Sequence, residues 1–348
     1  MSANAKKTLT ASSCISKYFL DAWGLDPGAE LVTETVAPKT LLTANRFDLA
    51  CKLYYIDCLE KGLDMSFAKE LYKEHIEAFS DGAFIEPGLT AKNSIQDYFA
   101  SFDRLIVDIK QNGFDPEKSV VPVGADGAIL DGSHRTAIAI YYDIPISIVR
   151  IPGRTSGYDH EFFSKKGMSR EQLDFMAYQY IRFSEQVYTV CLWPAAYDEG
   201  KLAEVEGLIK EHASVVYRKE AQINFHGMEK LMVSFYRSMP WIGSLDSGFS
   251  GVSSKARECY RENAPTTVYV ICNAALESVL ELKQRIRELY NIGNSSVHIT
   301  DTHVEAVEAG KMLLNSNSID FMNYGDPFRN VSFIKDFTHK AEARELNP

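Results

Sequence analysis

Apolar residues recur every three to four positions over two consecutive stretches within residues 43–80. Gly62 ends the first stretch, whose apolar face comprises Phe47, Ala50, Cys51, Tyr54, Tyr55 and Cys58. The pattern resumes after a short turn and continues from Met65 to Phe79. This spacing predicts two helices joined as a helical hairpin. The first forty residues show only weak periodicity, and we expect them to wrap around the protein or extend from it.

Helical and strand patterns alternate through the next part of the chain. They predict, in order, a helix over 94–112, a strand over 120–123, a turn at Asp126-Gly127, a returning strand over 128–130, a helix over 136–142 and a strand over 146–151. Gly113 ends the first of these helices. Pro152-Gly153 and Ser156-Gly157 then mark a boundary.

The second half repeats this alternation after a bridging helix over 169–183. It predicts strands over 188–192, 214–218, 267–272 and 296–299, and helices over 201–212, 228–237, 276–290 and 302–314. A loop rich in Gly and Ser covers 243–254. The fold class is therefore α/β (α+β), with an N-terminal helical region over 1–84, a small α/β domain over 85–155, a helical linker over 156–186 and a second α/β domain with a C-terminal helix over 187–348.

Composition narrows the choice of partners and compartment. The 348 residues carry 37 Lys and Arg against 47 Asp and Glu, a net charge of −10 that argues against a nucleic-acid partner. No run of 18 apolar residues is present, and the N-terminal sequence lacks a secretion signal, so we expect no membrane partner. The six cysteines form no C-x-x-C pair, which suits a reduced cytoplasmic protein. The oligomeric state stays open, and a homo-oligomer is one possibility.

A strand pattern ends and a helical pattern begins within six consecutive residues: Asp131, Gly132, Ser133, His134, Arg135 and Thr136. Unpaired backbone N–H groups and the helix dipole favour an anion at such a position. Gly132 permits close approach of the backbone, Ser133 supplies a hydroxyl, and His134 and Arg135 add hydrogen-bond donors and charge. The alternative interpretation is an ordinary helix cap beside a surface arginine.

The segment from Glu86 to Ile151 resembles the ParB/sulfiredoxin superfamily, in which a helix, a strand pair, a turn of the D-G-x-H-R type and a helix follow in that order. Ser133 stands where sulfiredoxins have their cysteine, and no basic recognition helix follows Ile151. The free-serine-kinase branch is therefore the most similar one. This resemblance implies that Asp131 to Thr136 hold nucleotide phosphates and that Glu86, in Ile85-Glu86-Pro87-Gly88, is the catalytic base.

A second unusual run is Val297-His298-Ile299-Thr300-Asp301-Thr302, where a histidine near a strand end precedes a helix start. A neutral imidazole can accept a phosphoryl group when one of its nitrogens is exposed. The alternative is a buried histidine followed by an ordinary cap. A metal site formed by His298, Asp301 and His303 is a weaker alternative, because a strand-to-helix turn does not fix their geometry.

The second half as a whole resembles a shortened, divergent nucleoside-diphosphate kinase. The resemblance rests on Tyr188 to Pro194, on Ile286-Arg287-Glu288-Leu289-Tyr290 and on V-H-I-T-D-T-H-V-E-A. It implies a ferredoxin-like domain with His298 at the phosphohistidine position and Arg287 at a phosphate-binding position. Thr300 and Asp301 take the Ser-Asp positions after the histidine. Trp193 replaces the lysine of that family.

Both resemblances imply phosphate transfer. The sequence thus predicts an ATP-dependent kinase that acts on a small hydroxyl-bearing metabolite such as a sugar, polyol or amino acid, with ATP or ADP and Mg²⁺ as cofactors. The candidate catalytic residues are Glu86, Asp131, His134 and His298. The nucleotide contacts are assigned to Gly132, Ser133, His134, Arg135, Thr136 and Arg287, and the substrate contacts to Thr300 and Asp301. Metal ligands stay unassigned. The alternative function is a non-catalytic nucleotide-binding switch or assembly protein.

Overall fold

Two four-stranded sheets, each covered by helices, organise the protein. The computed structural model describes residues 7–85, 92–114, 120–244, 246–272 and 274–325. Within these ranges the protein is a mixed α/β protein with fourteen α-helices and eight β-strands, and antiparallel pairing predominates in both sheets.

The first half of the chain builds the first sheet. Its elements are β1 (Thr8–Thr10), α1 (Ala11–Cys14), α2 (Lys17–Trp23), β2 (Glu30–Val36), α3 (Leu49–Glu60), α4 (Ser66–Ser80), α5 (Ile95–Asn112), β3 (Val121–Val123), α6 (Ser133–Tyr142), β4 (Ile146–Arg150), α7 (His160–Lys165) and α8 (Arg170–Phe183). The strand order is β1-β2-β4-β3, in which only β3 and β4 are parallel.

The helical hairpin predicted for residues 43–80 is confirmed by α3 and α4, which pack against each other. The helix predicted from Ser94 is also confirmed: the Ser94 side chain accepts a hydrogen bond from the Asp97 N–H at the start of α5, and Gly113 follows its last turn. These local signals fix the helix ends as expected.

The prediction for the first forty residues was wrong, because β2 is a strand within the first sheet. Thr33 pairs with Val149 of β4, more than one hundred residues later. Thr33 is also the one buried residue of β2, so the strand has almost no apolar alternation. Its position is set by non-local pairing, which local periodicity does not encode.

The returning strand predicted over 128–130 is also absent. Ile129 forms a single antiparallel bridge to Val123, and the Leu130 N–H donates to the Pro122 carbonyl over 2.8 Å. The segment therefore closes a tight loop, and α6 begins at Ser133, three residues before the predicted start.

The second half builds the second sheet. Its elements are β5 (Val187–Leu192), α9 (Glu199–His212), β6 (Ser214–Ala221), α10 (Phe225–Tyr236), α11 (Val252–Cys259), β7 (Thr266–Cys272), α12 (Leu276–Tyr290), β8 (Val297–Ile299), α13 (His303–Leu313) and α14 (Ser316–Tyr324). The strand order is β6-β7-β5-β8, and all neighbours are antiparallel. Helix α11 begins inside the loop predicted over 243–254, and α14 follows the last helix whose bounds were predicted, 302–314.

Helix α8 joins the two halves through a shared core. Met176, Ala177, Tyr180 and Ile181 are fully buried, and α8 packs against α3 of the first half and α13 of the second. The Tyr180 hydroxyl donates to the Leu42 carbonyl over 2.7 Å. Among the described helices, none combines the length and apolar character that crossing a bilayer requires.

Candidate functional site

The turn before α6 leaves backbone donors open. Gly132 has a φ of +82°, a left-handed conformation that favours glycine, and it makes no side-chain cap for the helix. The Thr136 N–H donates to the Gly132 carbonyl over 2.9 Å. In the part of the chain that the structure describes, the N–H groups of Ser133, His134 and Arg135 have no acceptor. Such a helix start is suited to an anion.

Two charged side chains stand over this turn. The guanidinium of Arg135 folds back over Gly132, where a Cβ atom would meet its Nη2 at 2.7 Å. Arg135 Nη2 lies 3.3 Å from Asp131 Oδ2, and both side chains keep part of their surface exposed. A cation and a carboxylate therefore lie beside the open N–H groups, and both are accessible to a ligand.

The imidazole of His134 contacts α4 and α5. Its Nε2 lies 2.6 Å from the Tyr72 hydroxyl, and its ring centroid lies 4.8 Å from that of Phe102. Burial, together with the charge of Lys52, lowers the pKa of His134 well below its usual value. His134 is therefore neutral near pH 7, and its contact with Tyr72 gives it a role in holding α6 in place.

The remaining predicted residues of this site are Thr136, Ser133 and Glu86. Thr136 is fully buried, and its hydroxyl has no hydrogen-bond partner among the described residues. Ser133 is partly exposed at the start of α6. Glu86, the predicted base, lies outside the described residues.

Four polar residues that the sequence analysis did not identify form a buried cluster behind the turn. Arg46 donates from Nε and Nη2 to the two carboxylate oxygens of Asp48, each over 2.8 Å. Lys52 Nζ donates to Asp48 Oδ2 over 2.7 Å and lies 2.8 Å from His75 Nε2. All four side chains are buried.

The cluster carries a net positive charge and touches the loop that leads to the turn. Burial alone would raise the pKa of Asp48, but the charges of Arg46 and Lys52 hold it well below its usual value. Burial, followed by the charge of Lys52, lowers the pKa of His75, which is therefore neutral near pH 7. Two cations thus face one carboxylate. Arg46 Nη1 also donates to the Ile129 carbonyl over 2.7 Å, two residues before Asp131.

A sequence signal for this cluster exists. Nine of the twelve residues of α3 are buried, so its apolar pattern runs around most of the helix. A lysine within such a helix has to be buried, and a buried lysine requires an ionic or hydrogen-bonded partner. Lys52 therefore predicts a nearby carboxylate, and Asp48 lies four residues before it.

His298 occupies a second, largely aromatic pocket. Its Nδ1 lies 3.3 Å from the Tyr236 hydroxyl, and its ring centroid lies 4.9 Å from that of Phe235 and 6.2 Å from that of Trp193. Burial, followed by the charge of Lys283, lowers the pKa of His298 to about 4. The imidazole is therefore neutral near pH 7, the form that a nucleophile requires.

The predicted residues around His298 are only partly grouped with it. Arg287 and Asp301 both influence its pKa, and Asp301 pairs with Lys283 over 2.7 Å. Thr300 is buried, and its hydroxyl accepts a hydrogen bond from the Thr189 N–H over 2.9 Å, which extends the pairing of β8 with β5.

The position of His303 does not support the alternative metal site formed by His298, Asp301 and His303. His303 Nε2 lies 2.8 Å from the Ile181 carbonyl on α8. Across the described ranges, no three His, Cys, Asp or Glu residues are grouped as metal ligands.

Comparison with known proteins adds no assignment. No model of a known protein family matches the chain, and a search of curated proteins gives no significant match. The two resemblances described above therefore stay predictions.

Proposed function

We propose that this protein is an ATP-dependent phosphotransferase that acts on a small hydroxyl-bearing metabolite such as a sugar, polyol or amino acid. The observation that carries the proposal is the start of α6. Three open backbone N–H groups, the partly exposed Arg135 and the net-positive cluster behind the turn converge there. Phosphate oxygens are well matched by backbone donors at a helix N-terminus combined with arginine.

The residues at the start of α6 fit the phosphates of a nucleotide. One carboxylate beside them, that of Asp131, can bind a metal ion or accept a proton. ATP supplies the γ-phosphoryl group when bound, and Mg²⁺ neutralises its charge. The N–H groups of Ser133, His134 and Arg135 would bind phosphate oxygens, and the Arg135 guanidinium would orient them. The acceptor oxygen forms a bond to the γ-phosphorus as the bond to ADP breaks. The acceptor proton passes to a carboxylate, for which Asp131 is the described candidate and Glu86 the further one.

The second half is proposed to be a ferredoxin-like domain. The order β6-β7-β5-β8, with α9 and α12 on one face, supports this proposal. We assign this domain to the acceptor pocket or to assembly. We favour direct transfer of the phosphoryl group from ATP to the acceptor at α6 over transfer through a phosphorylated His298. Trp193, which is fully buried beside His298, stands where the nucleoside-diphosphate kinases that the second half resembles have a lysine. The proposal includes a cytoplasmic location and no nucleic-acid partner.

One observation favours the alternative of a nucleotide-binding switch without catalysis. Arg135 is paired with Asp131, so in this state the carboxylate is engaged rather than poised as a base. A switch would need only the phosphate-binding half of the site.

Nucleotide turnover separates the two functions. ATP with Mg²⁺ is incubated with the full chain and with pools of sugars, polyols or amino acids, and ADP is measured. The phosphotransferase predicts ADP release that requires one pool, with phosphate recovered on that acceptor. ATP binding without acceptor-dependent ADP release would favour the switch, and the absence of ATP binding would contradict both.

A further inference from the structure

The carboxylate of Asp131 lies beside the cation that a phosphate at the start of α6 would contact. Its Oδ2 accepts from Arg135 Nη2 over 3.3 Å, and the two side chains are 35% and 23% exposed. Side chains in a helix lean towards its N-terminus, so Arg135, in the first turn of α6, reaches back over Gly132 to this carboxylate. A phosphate that contacts Arg135 therefore meets Asp131 at the same place.

This carboxylate engages only part of the site. Asp131 accepts from the Arg135 guanidinium, whereas no group in the described part of the chain accepts from the N–H groups of Ser133, His134 and Arg135. The helix start thus keeps three donors for a ligand while its cation is held by the protein itself. An anion that enters shares the guanidinium with Asp131 or displaces it, and the two negative charges repel each other at this short range.

Asp131 also faces a second cation, the buried Arg46. Burial alone would lower the pKa of Arg46, but the carboxylate of Asp48, and more weakly that of Asp131, raises this pKa above its usual value. Asp131 therefore offsets positive charge on two sides of the turn, that of Arg135 at the surface and that of Arg46 behind it. Neutralising this one carboxylate makes the site more positive and removes the repulsion towards an incoming phosphate.

We propose that Asp131 is a specificity-determining residue of the α6 site, whose carboxylate competes with free anions for Arg135 until a divalent cation binds to it. This inference rests on the phosphate site of the proposed function and deepens it. Inorganic phosphate and metal-free ATP meet the carboxylate as a like charge, whereas ATP with Mg²⁺ brings a cation that prefers carboxylate oxygens. The site then selects the metal complex of a nucleotide, and Asp131 acts on the metal ion rather than as the proton acceptor.

Calorimetric titration of three full-length proteins tests the proposal: the wild type, Asp131→Asn and the control Asp108→Asn. Asp108 is exposed on α5 and, among the described residues, accepts only from Asn112 of the same helix, so its loss removes one negative charge elsewhere. Without Mg²⁺, Asp131→Asn should bind ATP and inorganic phosphate about three- to tenfold more tightly than the wild type does. Asp108→Asn should match the wild type, and an equal gain in both variants would overturn the proposal.

The effect of Mg²⁺ gives a second readout. Mg²⁺ should raise the affinity of the wild type for ATP about tenfold or more, and that of Asp131→Asn about threefold or less, because the variant lacks the carboxylate that the cation binds. No gain in metal-free affinity in Asp131→Asn, or an undiminished effect of Mg²⁺, would overturn the inference while the phosphate site stands. Absence of ATP binding to all three proteins would overturn the phosphate site itself and the inference with it.

A double variant shows whether the competition acts through the guanidinium. In the Arg135→Ala background, Asp131→Asn should raise the affinity for metal-free ATP about twofold or less, because no guanidinium is left to release. The same three- to tenfold gain in both backgrounds would show that Asp131 acts through its charge alone. That result would overturn the proposed competition for Arg135.

Discussion

Nζ of Lys52 lies 2.8 Å from Nε2 of His75, with both side chains buried. An ammonium group can only donate, so His75 Nε2 accepts, and its Nδ1 donates to the Tyr72 carbonyl over 2.7 Å. The contact therefore fixes His75 as one neutral tautomer. Tyr72 continues the connection through its hydroxyl to His134 on α6. Helix α4 thus links the buried cluster to the proposed phosphate site.

Removing the charge of Asp48 should destabilise the protein severely. Asp48→Asn leaves Arg46 and Lys52 buried without an anion, and we expect a loss of about 3–5 kcal/mol in the free energy of unfolding. Urea unfolding followed by circular dichroism measures this loss. The control is Glu161→Gln, which removes the exposed pair with Lys165 and should change stability by about 0.5 kcal/mol or less. Similar values for both variants would contradict the buried ion cluster.

Two glycine-to-alanine substitutions should have opposite effects on stability. Gly132→Ala places a Cβ at φ +82° and against Arg135, and we expect a loss of about 1–2 kcal/mol. Gly207 lies within α9 with no positive φ and open space around it. Gly207→Ala should therefore stabilise the protein by about 0.5–1 kcal/mol. Thermal unfolding of the two variants measures both effects, and a stabilising Gly132→Ala would contradict the left-handed turn.

Stability should fall as the pH drops from 6.5 towards 4. The pKa of His298 is about 4 in the folded protein, below the value near 6.5 of an unfolded histidine. In this window the unfolded state binds more protons, so protonation favours unfolding, and the contribution is fully present only above pH 6.5. Between pH 7 and pH 5 the wild type should lose roughly 2 kcal/mol more than His298→Gln. Equal pH slopes would show that His298 titrates normally.

The sequence predicted those elements whose ends are set by local chemistry. Helix α5 is an example, since Ser94 and Gly113 mark its ends within the segment itself. The strand β2 was missed because its pairing with β4 is non-local and its burial pattern is nearly featureless. Helix α11 was missed because Gly and Ser residues before Val252 indicate a loop.

The sequence predicted the turn of the candidate site before α6, but it did not predict the buried charged cluster behind that turn. Asp131 to Thr136 are contiguous, so their strand-to-helix geometry follows from the segment alone. Arg46, Asp48, Lys52 and His75 come from α3, its preceding loop and α4, and only packing of these elements brings them together. The inward position of His134 also depends on Tyr72, sixty-two residues earlier in the chain.

Incubation with γ-labelled ATP tests the role of His298. Direct transfer at α6 predicts that no acid-labile, base-stable label forms on the protein. It also predicts that His298→Ala lowers turnover only through acceptor binding or stability. Mass spectrometry of the intact chain and of its peptides detects a phosphohistidine. A label on His298 that passes to the acceptor would move the active centre to the second half.

The affinity of the α6 turn for ATP tests the central claim most directly. Calorimetric titration compares the wild type with Arg135→Ala and with Arg104→Ala, an exposed arginine on α5 that forms no ion pair in the described part of the chain. Loss of a charge-assisted phosphate contact should weaken ATP binding by about 1.5–3 kcal/mol in Arg135→Ala, roughly tenfold to a hundredfold. Arg104→Ala should bind ATP as the wild type does. Unchanged ATP affinity in a folded Arg135→Ala protein would contradict a phosphate site at the start of α6.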